Sequence, residues 1–229
     1  MKTNEIRNSK TELVFILDRS GSMANLVDDT IGGFNSAIEK QKEQEGETYV
    51  TTILFDDKVE TLHDRIELQQ VEPMNRKTYF VRGCTALFDA VGYAVEHIAM
   101  IHKYARPEDV PQNTMFVIIT DGMENASRQY DRRRIKQMIE HEKEKYGWEF
   151  IFIGANIDAA ETAESFGIGR DCAADYVADS VGTQVVYDAV CCNISNVRAC
   201  RPMASNWKEN IDADFAKRSG RGHFGKKQK

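Results

Sequence analysis

The chain has 229 residues, 41% hydrophobic and 29% charged, an ordinary globular composition with enough apolar residues for one sizeable core. Its net charge of −6 is unevenly spread: residues 217–229 hold six basic residues and no acid, so the remainder carries −12. An acidic body with a short basic end argues against a nucleic-acid-binding domain, no apolar run approaches the roughly eighteen residues of a membrane span, and Met1–Lys10 has no apolar secretory segment.

In chain order, Leu13–Leu17 is a continuous apolar run, the pattern of a strand buried on both faces. Val27, Ile31, Phe34 and Ile38 then recur at helical spacing. Tyr49–Phe55 is rich in β-branched and aromatic residues and predicts a second strand. A turn at Asp56, Asp57 and Lys58 leads into a charged, antiparallel edge strand over Val59–Leu68. Leu87, Val91, Ala94, Ile98 and Ile101 form the next helical stripe, and Pro107 and Pro111 mark a loop. Met115–Ile119 is another buried strand, Ile135, Met138 and Ile139 lie on a helix, and Trp148–Ile153 is a strand ended by Gly154. A short helix is expected over Asp158–Phe166, a weak strand near Cys172–Val177, and a last helix through Val186, Val190, Ile194 and Val197.

Strands alternating with helices predict a Rossmann-like, doubly wound α/β fold: a mostly parallel sheet with one antiparallel edge strand and helices on both faces. The expected division is an N-terminal extension over residues 1–11, one domain over 12–200, and a C-terminal extension over 201–229. That extension ends in a basic tail, Arg218–Lys229, expected to be solvated and disordered. The five cysteines, Cys84, Cys172, Cys191, Cys192 and Cys200, match no zinc spacing and are expected to be reduced, as in cytoplasm. The vicinal pair Cys191 and Cys192 is expected on a helix with one thiol facing the core.

In such open sheets ligands bind beyond the carboxyl ends of the strands. Three polar clusters sit in such places. Asp18-Arg19-Ser20-Gly21-Ser22 follows the first strand, Gly83-Cys84-Thr85-Ala86-Leu87 precedes a helix, and Thr120-Asp121-Gly122 follows the strand ending at Ile119. Asp18, Ser20 and Ser22, at alternate positions of an extended-to-turn segment, can converge on one point, with Gly21 expected to allow the bend. Asp121 enters from a neighbouring strand and Thr85 from a loop. Two carboxylates and three hydroxyls make an oxygen-only set suited to a hard divalent cation such as Mg²⁺. Singly, each cluster could be a helix cap; three of them at one sheet edge are hard to explain that way.

These residues resemble the DxSxS…T…D metal-ion-dependent adhesion site of von Willebrand factor A-type domains, and the order of strands and helices agrees from residue 12 to about 198. The stretches Thr120–Ser127 and Gly147–Asn156 are further similar to a bacterial, cytoplasmic group of such proteins. The resemblance implies that Ser20 and Ser22 ligate Mg²⁺ (or Mn²⁺ or Ca²⁺) directly, and Thr85 directly or through water. It implies that Asp18 and Asp121 hold metal-bound waters and fix the serines. A cation with mostly neutral direct ligands keeps much of its charge, so an open position would take an Asp or Glu from a partner protein. Family analogy suggests AAA+ ATPases or stress- and phage-related complexes as partners, with no nucleic acid and no membrane.

A different class of function, a haloacid dehalogenase-like phosphotransferase or phosphatase with Asp18 as nucleophile, needs a second carboxylate two residues on, where this chain has Ser20. Phosphate-binding glycine loops and nucleophile–base pairings are also missing, so no enzymatic activity is expected. Asn125 and Ser127 shape the loop after Asp121, frame the partner surface, or form a plain turn. Arg132, Arg133 and Arg134 at a helix start are a solvated face or a contact for an acidic partner. His63, His97, His102, His141 and His223 are scattered without ligand spacing.

Overall fold

Strand β1 (Lys10–Asp18) turns alternate side chains to opposite faces, and both faces are buried from Thr11 onward, which is why its apolar run is unbroken. The computed structural model of the protein describes residues 9–219. After β1 come α1 (Val27–Lys42), β2 (Glu47–Phe55), β3 (Val59–Glu67), α2 (Leu87–Tyr104) and β4 (Asn113–Thr120). They are followed by α3 (Arg132–Tyr146), β5 (Glu149–Gly154), α4 (Ala159–Ser165), β6 (Ala173–Asp175), α5 (Ser180–Arg198) and α6 (Glu209–Arg218).

The six strands form one sheet in the order β3-β2-β1-β4-β5-β6. All neighbouring pairs are parallel except β2 and β3, which are antiparallel. The Rossmann-like expectation therefore holds, down to the charged antiparallel edge. Chain order reverses at β1: β2 lies on one side and β4 on the other. In open α/β sheets such a switch point, here at the carboxyl ends of β1 and β4, is where ligands bind. Register is set there by pairing Leu17 with Ile119, so Asp18 and Thr120 leave the sheet side by side.

Two apolar layers sandwich the sheet. Leu13, Phe15 and Leu17 pack with Phe34 of α1 and Val186, Val190 and Ile194 of α5. Val14 and Ile16 face Leu87, Val91 and Ile98 of α2 and Ile135 and Ile139 of α3. Helix ends follow local chemistry. The side chain of Asp131 accepts the Arg134 N–H, which offsets three arginines at the unfavourable end of α3. Gly147, at φ 68°, closes the same helix in the left-handed conformation.

Two features differ from the sequence-based expectation. Gly21–Leu26 forms a 3-10 turn before α1. The stretch after α5 contains a helix, α6, whose last residue is Arg218, expected instead in the solvated tail. Residues 220–229, the rest of that tail, lie outside the described residues, as do residues 1–8. Cys191 is buried and Cys192 exposed on α5, and the five cysteines are free thiols. Among the described residues no helix is long and apolar enough to cross a membrane.

Candidate metal centre

The carboxyl end of β1 delivers Asp18 into a fully buried position. Its Oδ1 accepts the N–H of Ser20 at 2.7 Å, and its Oδ2 accepts the hydroxyl of Thr120, on the neighbouring strand, at 2.5 Å. The Asp18 carbonyl accepts the phenol of Tyr79 at 2.5 Å. Ser20 keeps an extended backbone, and the chain then coils into the 3-10 turn. The coil brings the Ser20 and Ser22 hydroxyls to 3.0 Å from each other. Ser22, exposed at the surface, donates a short hydrogen bond to Oδ1 of Asp121 just beyond β4.

Thr85 arrives from a third segment, the loop before α2. A Cβ added at Gly122 would lie 3.1 Å from the Thr85 hydroxyl and 3.4 Å from that of Ser22. Both hydroxyls therefore converge over a bare backbone, and a side chain at Gly122 would crowd them. All five predicted residues are brought to one place. Gly21 is not where the backbone needs a glycine, contrary to the sequence-based expectation. It makes only ordinary contacts, whereas Gly83 adopts φ +66° with Asp57 packed where a side chain would begin.

Burial pushes the Asp18 carboxyl up to about 6, against the hydrogen bonds from Thr120 and Ser20 and with a further rise from the nearby Asp121 charge. Burial also raises Asp121, opposed by the Ser22 hydrogen bond. The cation nearest in sequence does not relieve them. Arg19 is itself buried and directs Nε to Asp56 at 2.9 Å and Nη2 to Glu60 at 2.7 Å. Two buried carboxyls and three hydroxyls therefore present only oxygen and lack a counter-charge, which fits a hard divalent cation. Among the described residues no cluster of three or more His, Cys, Asp or Glu forms an alternative centre.

Asp56 lies in the turn between the antiparallel β2 and β3, as the sequence predicts, but its role goes beyond the turn. It is fully buried, and although burial raises its carboxyl, Arg82, the Lys58 N–H and Arg19 hold it below the usual range. Its carbonyl also accepts the Ala86 N–H at 2.7 Å, next to Thr85. Asp56 thus ties the segment of Asp18 to that of Thr85. The one signal for it was Arg19, a charge at a buried strand end that needs a partner. Among the described histidines, His97 pairs with Asp64 at 2.7 Å and His102 with Glu12 at 3.4 Å; His223 lies outside the described residues.

No family model and no curated protein matches the chain. Solved structures match it by shape. A von Willebrand factor type A protein from Catenulispora acidiphila aligns with a TM-score of 0.57 at 11% identity, over 82% of this chain and 43% of that one. The manganese-loaded TRAP protein of Plasmodium vivax aligns with a TM-score of 0.54 at 17% identity, over 78% and 72%. Proximal thread matrix protein 1 from the mussel byssus gives 0.54 at 12% identity, over 80% and 45%. The chain spans less than half the length of the mussel and Catenulispora proteins. These likenesses establish a shared fold, the α/β sandwich of the von Willebrand factor A type.

Proposed function

We propose that this chain is a divalent-metal-dependent interaction module that binds an acidic side chain of a partner protein. The observation that carries the reading is the convergence of the Ser20, Ser22 and Thr85 hydroxyls with the buried Asp18 and Asp121 carboxyls at the β1–β4 switch point. That a manganese-loaded protein shares the fold supports the choice of a divalent ion.

In this reading Ser20, Ser22 and Thr85 would hold Mg²⁺ or Mn²⁺, and Asp18 and Asp121 would balance its charge. The ion would supply a Lewis-acid position for an incoming carboxylate. The protein's part is to keep the direct ligands neutral, so that positive charge is left for the partner, and to hold its own carboxylates on hydroxyl and N–H donors. Removing the cation sets the partner's acid against Asp18 and Asp121, and attraction becomes repulsion. A nucleophilic Asp18 is disfavoured because both its oxygens are buried and engaged, and we take the module to be non-enzymatic.

The test is thermal unfolding in chelator against millimolar Mg²⁺ or Mn²⁺. An ion bound only by the native state, present at about 100 times its Kd, stabilises by about 2.7 kcal/mol, or roughly 5–10 °C for a chain of this size. The Ser20→Ala/Ser22→Ala double variant should lose that rise. Wild-type protein that melts identically with and without Mg²⁺, Mn²⁺ and Ca²⁺ would sink the proposal.

A further inference from the structure

The loop after Asp121 does more than turn. Asn125 Oδ1 accepts the Thr85 N–H at 2.9 Å, while the Thr85 carbonyl accepts the N–H of Asn125 at 3.0 Å and of Ala126 at 3.2 Å. Both polar groups of the Thr85 backbone are thereby bound to residues four and five places after Asp121. The loop is stiffened from within by Glu124. Its Oε1 accepts the N–H groups of Ala126 and Ser127 at 2.9 and 2.8 Å, and its Oε2 accepts the Phe88 N–H at 2.9 Å and the Ser127 hydroxyl at 2.7 Å. With four donors, the Glu124 carboxylate is held at the start of α2. Asp89 returns the connection by accepting the N–H groups of Arg128, Gln129 and Tyr130 at 2.8–2.9 Å.

From this we propose that Asn125 is a positioning residue of the metal centre: it welds Thr85 to the Asp121 loop, so that the site is preformed and Thr85 does not switch in and out. The inference rests on the metal-binding reading above. Moving the Thr85 backbone away from Ser22 and Gly122 would break three hydrogen bonds that Asn125 and Ala126 make to its N–H and C=O. Asparagine suits the task because it offers an acceptor without adding a third negative charge beside Asp18 and Asp121.

The test uses the full chain and Mn²⁺ as probe, with titration calorimetry for affinity and thermal unfolding in chelator for apo stability. Outer-shell partners of metal ligands typically change affinity about 10–100-fold when removed, and Asn125→Ala should weaken Mn²⁺ by that order. Asn125→Asp, which keeps the acceptor, should restore most of the affinity. Ser127→Ala removes the acceptor of the Asp89 N–H, which lies at 3.0 Å, and one of the four donors to Glu124, but touches none of the three bonds to Thr85. It should lower apo stability while costing far less Mn²⁺ affinity than Asn125→Ala does. An Asn125→Ala protein that binds Mn²⁺ like wild type overturns the inference, as does a loss that Ser127→Ala reproduces in step with its melting temperature. Wild type that takes up no Mn²⁺ removes the metal reading itself, a separate outcome. Should Asn125→Ala fail to fold, amide exchange of wild type in chelator decides. Thr85 N–H must be protected before any ion is added, and exchange at the rate of an open loop defeats the preformed site.

Discussion

Asp18 is buried with a neighbouring carboxyl, yet both its oxygens are hydrogen-bonded. Its carboxyl is pushed from an ordinary 3.8 to about 6, chiefly by burial. The folded state therefore binds this proton more tightly than the unfolded chain does. The stability this contributes is fully present below about pH 4 and is lost as pH rises through 6, a difference of about 3 kcal/mol. In chelator, the stabilising effect of lowering pH from 7.5 to 5 should accordingly be larger for wild type than for Asp18→Asn, which mimics the protonated form. Urea midpoints at the two pH values measure this, and equal slopes for both proteins would contradict the assigned cost. Mg²⁺ or Mn²⁺ should erase most of the wild-type difference by supplying the missing counter-charge at pH 7.5. Metal affinity should itself fall as pH drops through 6, because the proton and the cation compete.

At the scale of elements, the strands were legible because a sheet covered on both faces demands unbroken apolar runs, and β1, β4 and β5 have them. The five oxygen-bearing residues of the site were legible for a related reason: each sits directly after a strand or before a helix. The residues that hold them were not. Asp56, Glu124 and Asn125 act through backbone groups about 30–40 positions away, and no local pattern announces such bonds. The same holds for Arg198 at the end of α5. Its buried guanidinium donates to the Gln41 carbonyl at 2.5 Å and to those of Gln44, Glu45 and Gly46 at 3.2–3.3 Å, closing the carboxyl end of α1. Arg198→Met keeps the apolar stem but leaves these carbonyls without their donor. It should cost about 3 kcal/mol, read as a lower urea midpoint. The rise on adding Mg²⁺ should persist, since α1 meets the site only through its opposite end. A neutral effect on stability would mean that water replaces the guanidinium without cost.

Across the whole molecule, one sheet edge is protected by sequence and the other by a later element. β3 carries charges along its exposed side, the usual defence of an edge. β6 is only three residues long, Ala173–Asp175, with a single charge, Asp175, at its end and bonded to the Ala159 N–H. Its cover comes from the segment leading into α6. Lys208 Nζ donates to the carbonyls of Ala173 at 2.6 Å and Arg170 at 3.1 Å, and the Trp207 indole donates to Asp171 at 2.7 Å. Trp207 and Ile211 are buried in the layer that also holds Ala174, Tyr176 and Val186. Arg218 then pairs with Asp179, the residue that caps α5, and with Asp214 within α6. The sequence showed none of this because α6 is short and largely polar, with Ile211 its single buried residue. The expected consequence is that α6 belongs to the folding unit. Deleting a buried tryptophan side chain costs about 3–5 kcal/mol, so Trp207→Ala alone should lower the melting temperature by roughly 6–20 °C. A chain cut after Ala199 should fall at least as far and should aggregate on standing, because it leaves the outer backbone of β6 open to pairing. Both proteins should still respond to Mg²⁺ at temperatures where they are folded, since Asp18, Ser20, Ser22, Thr85 and Asp121 make none of these contacts. A truncated chain that melts with wild type would show that α6 rests on the sheet without stabilising it, and that β6 guards its own edge.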